Sequence, residues 1–138
     1  MTINPTILNV TIVLLLLGIS IPLAIDMNKT LQARNPGIRP FKWGYFIGIV
    51  GVLNSAVLGI IFFMSATVTA SYECNLLYAK TLLMLLVGMA HYYMIKRNRI
   101  AWIIGTILSM NIFLWIINGI YLKHRWHEMD PTKGEDTE

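Results

Sequence analysis

The sequence has one cysteine, no lysine or arginine ahead of its first apolar run, and no aspartate or glutamate inside any of its long apolar runs. Each absence excludes something. A lone Cys74 rules out an intramolecular disulfide framework and any zinc or iron–sulfur centre built from several cysteines of one chain. The uncharged opening MTINPT lacks the basic n-region of a secretory signal, and no small-x-small cleavage pattern follows the first run, so that run reads as a membrane helix. Without an intramembrane carboxylate, chemistry that needs a general acid or a proton-coupling acid within the bilayer is disfavoured. There is also no Ser, His and Asp set, no Walker loop and no dinucleotide fingerprint, so no enzyme activity and no cofactor is indicated.

Charge is scarce as a whole. Only 13% of the 138 residues are charged and 56% are hydrophobic, with a mean hydropathy of +0.61, outside the balance of a soluble domain. Lys plus Arg outnumber Asp plus Glu by 11 to 7, but the basic residues sit in short flanks beside apolar runs. That placement points to lipid headgroups and away from nucleic acid.

What is present is four apolar runs, at about 7–25, 44–66, 75–95 and 100–122. A hydrocarbon core about 30 Å thick is crossed by roughly 20 helical residues, and each run is long enough. None shows the period-two alternation of a barrel strand. The expectation is an all-α membrane protein, a compact bundle of four transmembrane helices in the plasma or inner membrane, with residues 123–138 as a polar, disordered tail. The first helix is expected to run past Asp26 to Arg34, where Asn35-Pro36-Gly37 breaks it.

Basic residues orient the bundle. Lys29, Arg34, Arg39 and Lys42 lie between the first two runs, and Lys96, Arg97 and Arg99 between the last two. These seven are expected at the cytoplasmic headgroups. Both termini then fall outside, with Lys123, Arg125 and Lys133 in the tail. Lys123 and Arg125, placed directly at the end of the fourth run, argue the other way.

Lipid tails are as apolar as leucine, so membrane helices associate where small residues let backbones approach. Gly44, Gly48, Gly51, Ser55 and Gly59 form one stripe on the second run, and Ala101, Gly105 and Ser109 a shorter one on the fourth. Neighbouring helices are expected along both. Aromatic residues near the ends, among them Phe41, Trp43, Tyr45, Tyr92, Tyr93, Trp102, Tyr121 and Trp126, read as an interfacial belt.

Polar groups within the runs are the candidates for a ligand or ion path. Lys80 and His91 share one face of the third run, roughly 16 Å apart along it, though each lies near a helix end where it can anchor to headgroups. As a haem ligand His91 lacks a second histidine in any run. Asn54 and Asn111 sit near mid-membrane on two helices of the same direction, and Trp115 and Asn118 continue the Asn111 face at i+4 and i+7. His124, His127 and Glu128 have metal-compatible spacing but read better as a headgroup flank, so no metal site is expected. The leading expectation is a non-enzymatic helix-packing protein, partnered by the bilayer and by itself or another membrane protein. A small channel or transporter running past Asn54, Asn111, Lys80 and His91 is the alternative.

Overall fold

A computed structural model describes residues 5–69 and 73–129, and every regular element among them is helical. In chain order these are α1 (Pro5–Arg34), α2 (Lys42–Val68), α3 (Glu73–Ile95), α4 (Arg99–Leu108), α5 (Ile112–Arg125) and a single 3-10 turn, Trp126–Glu128. Three helices are long and apolar enough to cross a membrane: Val10–Arg34 within α1, then α2 and α3. At 1.5 Å per residue, α2 extends about 40 Å, enough to carry both ends into the headgroups.

α2 and α3 pack antiparallel along the glycine stripe. A Cβ at Gly48 would meet the Ile95 side chain, and the carbonyl of His91 at 3.2 Å. At Gly51 it would fall within the His91 ring, and at Gly59 it would lie 3.6 Å from Met84 Cβ. Ser55 is buried against Gly88, whose own Cβ would stand 3.4 Å from Ser55 Cβ. Near the far end, Cys74 Sγ donates to the Ala66 carbonyl at 3.4 Å. From Gly48 to Gly59 the partner along the small-residue stripe is therefore α3 of the same chain, whereas Gly44 faces the Phe41 ring.

α1 is one continuous helix through Pro22 and ends at Arg34, at the Asn-Pro-Gly break. Among the described residues its buried positions, Ser20, Ala24 and Asn28, lie in the second half, whereas Val13, Leu14, Leu15 and Ile19 are exposed. Asn28 ties it to α2 by accepting a 2.7 Å hydrogen bond from the Phe41 amide, with its own amide donating to Gln32.

The fourth apolar run does not form one helix. α4 spans only 10 residues, about 15 Å, and stops where the Ser109 hydroxyl turns back to the Thr106 carbonyl at 2.7 Å. Met110 then takes a left-handed conformation with φ 48°. Asn111 restarts the chain as the N-cap of α5, accepting from the Phe113 and Leu114 amides at 3.0 and 3.2 Å, a role for which asparagine is strongly preferred. α5 runs back along α4. Trp102 near the start of α4 stacks on Tyr121 near the end of α5 at 5.3 Å and 22°, and Arg99 donates to the carbonyls of Trp126 and Met129 at 2.8 and 2.9 Å.

The hairpin leaves the expected fourth span unconfirmed, since α4 and α5 are 10 and 14 residues long and, among the described residues, only α1, α2 and α3 are long and apolar enough to cross a membrane. Residues 123–129 return to the end of the molecule that holds the α3–α4 connection, opposite the start of α1. They are not the beginning of a loose tail, since α5 continues to Arg125 and Met129 is buried. Pro131, Thr132, Lys133 and Gly134, read from sequence as disordered, lie outside the described residues. Lys29, Arg34, Arg39, Lys42, Lys96, Arg97, Arg99, Lys123 and Arg125 share one end of the molecule. In a Cys74→Ser background and sealed vesicles, an impermeant maleimide is expected to label Lys96→Cys and Lys123→Cys from the same side, and Val68→Cys from the other. Labelling of Lys123→Cys together with Val68→Cys would restore four crossings.

Candidate functional site

The basic end is tied together by aromatic rings and guanidinium groups. Phe41 is buried at the entry to α2, with ring centroids 5.4 Å from Tyr45, 5.9 Å from Trp102 and 6.0 Å from Tyr121. The Arg97 guanidinium lies 4.7 Å over the Phe41 ring and donates to the Arg39 carbonyl at 3.2 Å. Arg97 itself holds a φ of 62°, which turns the chain from α3 into α4, where Asn98 caps the new helix by accepting from the Ala101 amide. Glu128 receives Arg125 at 2.9 Å and Arg39 at 3.4 Å. Arg99 lies 4.2 Å over the Trp126 ring.

Several residues expected at headgroups or in an aromatic belt therefore face protein. Phe41, Tyr45 and Trp102 are buried, while Tyr92, Tyr93 and Trp126 are on the surface. The cause is the hairpin, which gives the basic end a protein-facing interior that four separate rods would lack. Among the basic residues, Arg97 and Arg99 act as staples, and Lys96 lies 5.3 Å from the Tyr92 ring. Lys29, Arg34, Arg39 and Lys42 have exposed side chains.

Asn118 is the polar hub of the fold. It is 1% exposed, its side-chain oxygen accepts from Trp43 Nε1 at 2.9 Å, and its amide donates to Thr106 Oγ1 at 3.2 Å. Its main-chain carbonyl accepts from Trp102 Nε1 at 3.2 Å. One residue thus joins α2, α4 and α5 with its polar atoms satisfied, the condition under which a buried polar group is tolerated. On α4, Ala101 and Gly105 are buried, with Met94 Sδ from α3 occupying the place of a Gly105 side chain, and Ser109 is half-buried at the break. Thr106 and Met94 were not singled out in the sequence; both matter only because the hairpin and the Gly105 gap bring partners to them.

The remaining candidates are spread over the molecule. His91 is buried against Gly51, with Nδ1 2.8 Å from the Val87 carbonyl. Lys80 is exposed, its Nζ 5.7 Å from the Phe62 ring centroid. Asn111 is exposed at the helix break, and Trp115 is exposed one turn later. Asn54 lies at the centre of α2, twelve residues from Lys42 and fourteen from Val68, and is exposed with no hydrogen-bond partner among the described residues. Asn54 and Asn111 do not bond each other. Among the described residues, no group of three or more His, Cys, Asp or Glu side chains is placed to hold a metal ion.

Comparison with known proteins places the chain in no group: no family model, no curated protein and no solved structure matches it. It is a small helical protein with several apolar helices compatible with a membrane protein.

Proposed function

We propose that this is a non-enzymatic membrane protein that works by lateral association, with a second copy of itself or as an accessory subunit of a larger membrane complex. The observation that carries this reading is Asn54, an unpartnered amide on the surface of α2 half-way across the apolar span. Hydrocarbon offers an amide nothing to bond, and leaving it unsatisfied costs several kcal/mol. A polar side chain on a neighbouring helix removes that cost and adds about 1 kcal/mol of interhelical bonding. The break at 109–111 supports the same reading. Non-helical backbone at membrane depth is tolerated where protein or a water-filled cavity covers it, yet Met110 and Phe113 at this tip are 86% and 74% exposed. Because the α2 stripe is already covered by α3, the association surface would be the Asn54 face and the hairpin tip.

The test is Asn54→Leu. Tagged protein drawn from its native membrane in mild detergent is expected to lose its larger assembly, or the membrane protein that comes with it, while the monomer stays folded. Assemblies of unchanged size and composition would remove the proposal. The helix break favours a second reading, a channel or transporter, since interrupted helices bring backbone polar groups to mid-membrane. Solute flux in liposomes that falls with Asn54→Leu and with Lys80→Met would favour that path instead.

A further inference from the structure

We propose that the groove between α1 and the start of α2 holds one acyl chain of an anionic glycerophospholipid whose phosphate is bound by Lys42. The groove is open along one side, measures about 330 Å³ and is lined by Ile21, Ala24 and Ile25 of α1 and by Lys42, Trp43 and Phe46 of α2. Five of the six linings are apolar. The volume is far below that of a transmembrane helix, about 30 Å long and 10–12 Å wide, and suits a single flexible chain. One wall is rigid: the Trp43 indole is held by its hydrogen bond to Asn118 and packs 5.7 Å from Phe46. The other is a helix whose next turn outward, around Leu15 and Ile19, is left open to lipid.

Charge sets the class of headgroup. Lys42 opens α2 at the headgroup level, its side chain exposed and without a protein partner among the described residues. Among the described residues, eight further basic ones stand around it at the same end, Lys29, Arg34, Arg39, Lys96, Arg97, Arg99, Lys123 and Arg125, against two acidic ones, Asp26 and Glu128. Glu128 is engaged by Arg125 and Arg39, which leaves Asp26, exposed on α1, as the one acid there without an ion pair among the described residues. A negative phosphate at Lys42 meets a surface of the opposite sign. Trp43, beside Lys42, places its amphipathic ring at the depth of the lipid glycerol, where indoles are favoured.

The experiment uses the full chain in mild detergent, loaded with phosphatidylglycerol or with phosphatidylcholine of identical acyl chains and read by native mass spectrometry. One phosphatidylglycerol per chain is expected to survive activation that strips phosphatidylcholine, with a retention ratio of about fivefold, the scale of one lysine's attraction to an anionic lipid. Lys42→Gln should bring that ratio near one. Lys123→Gln removes an equal charge from the same end but away from the groove, and should leave the ratio unchanged. Filling the groove by Ile25→Trp, or by Ile21→Trp if the first variant fails to elute as a folded species, should abolish retention of both lipids. Equal retention of the two lipids by the wild type, equal losses in Lys42→Gln and Lys123→Gln, or full retention in the filled groove would each overturn the proposal.

Discussion

Gly51→Leu is expected to leave little correctly packed protein, with a loss of stability of about 3 kcal/mol, the upper end of the usual cost of forcing bulk into a filled interface. The site has no room even for a methyl group, since a Cβ on Gly51 would occupy the His91 imidazole. His91 cannot yield cheaply. It is 6% exposed and its Nδ1 lies 2.8 Å from the Val87 carbonyl, so moving the ring breaks that contact and opens α3 from α2. The same stripe supplies the contrast. At Gly59 the new Cβ would meet Met84 Cβ at 3.6 Å, an ordinary contact, so Gly59→Ala should be neutral or stabilising by up to about 1 kcal/mol through helix propensity. Unfolding by titration with denaturing detergent measures both. A partial rescue of Gly51→Leu by His91→Ala would locate the conflict at that pair, and equal effects at Gly51 and Gly59 would refute the packing register.

Asn118→Leu is the second large effect, with an expected loss of about 2 kcal/mol. Leucine is similar in volume and more apolar, so a site that merely touched lipid would accept it. Here it strips the acceptor from the Trp43 indole and the donor from the Thr106 hydroxyl, and each orphaned group costs about 1–3 kcal/mol when it stays buried. The Trp102 bond goes to the Asn118 main chain and survives, so the hairpin should loosen at its Trp43 side before it opens. Increased protease or hydrogen-exchange access to α5, with α2 and α3 still protected, is the expected signature. Asn54→Leu is the control, since Asn54 is exposed and unpartnered and its replacement should not lower monomer stability.

Much of the local structure was legible from the chain. The ends of α1 follow from hydropathy and from Asn35-Pro36-Gly37, and α2 and α3 from unbroken apolar runs. The stripe from Gly44 to Gly59 was visible because small residues recur every three or four positions. Other assignments required knowledge of neighbours. Asn111 in sequence resembles an amide in the middle of a span, but it is a helix cap, because capping depends on whether the helix is interrupted. Trp102 resembles a headgroup anchor at the start of a helix, but it is 1% exposed, because a second helix returns across it.

The sequence by itself pointed to an all-helical chain whose apolar runs are long enough to cross a membrane, with basic residues gathered in the flanks of those runs. Those are properties of length, hydropathy and residue order, and they hold whatever the helices touch. Only the tertiary structure decided the course of the last apolar run. A straight helix through 100–122 and a hairpin broken at Met110 have the same hydropathy and comparable local propensities. The hairpin is selected by contacts far apart in sequence: Trp102 on Tyr121, Arg99 on the carbonyls of Trp126 and Met129, and Asn118 between Trp43 and Thr106. Those contacts turn what reads as one long helix into a hairpin that returns to the basic end, and Asn54 stays exposed at the centre of α2 with no hydrogen-bond partner among the described residues.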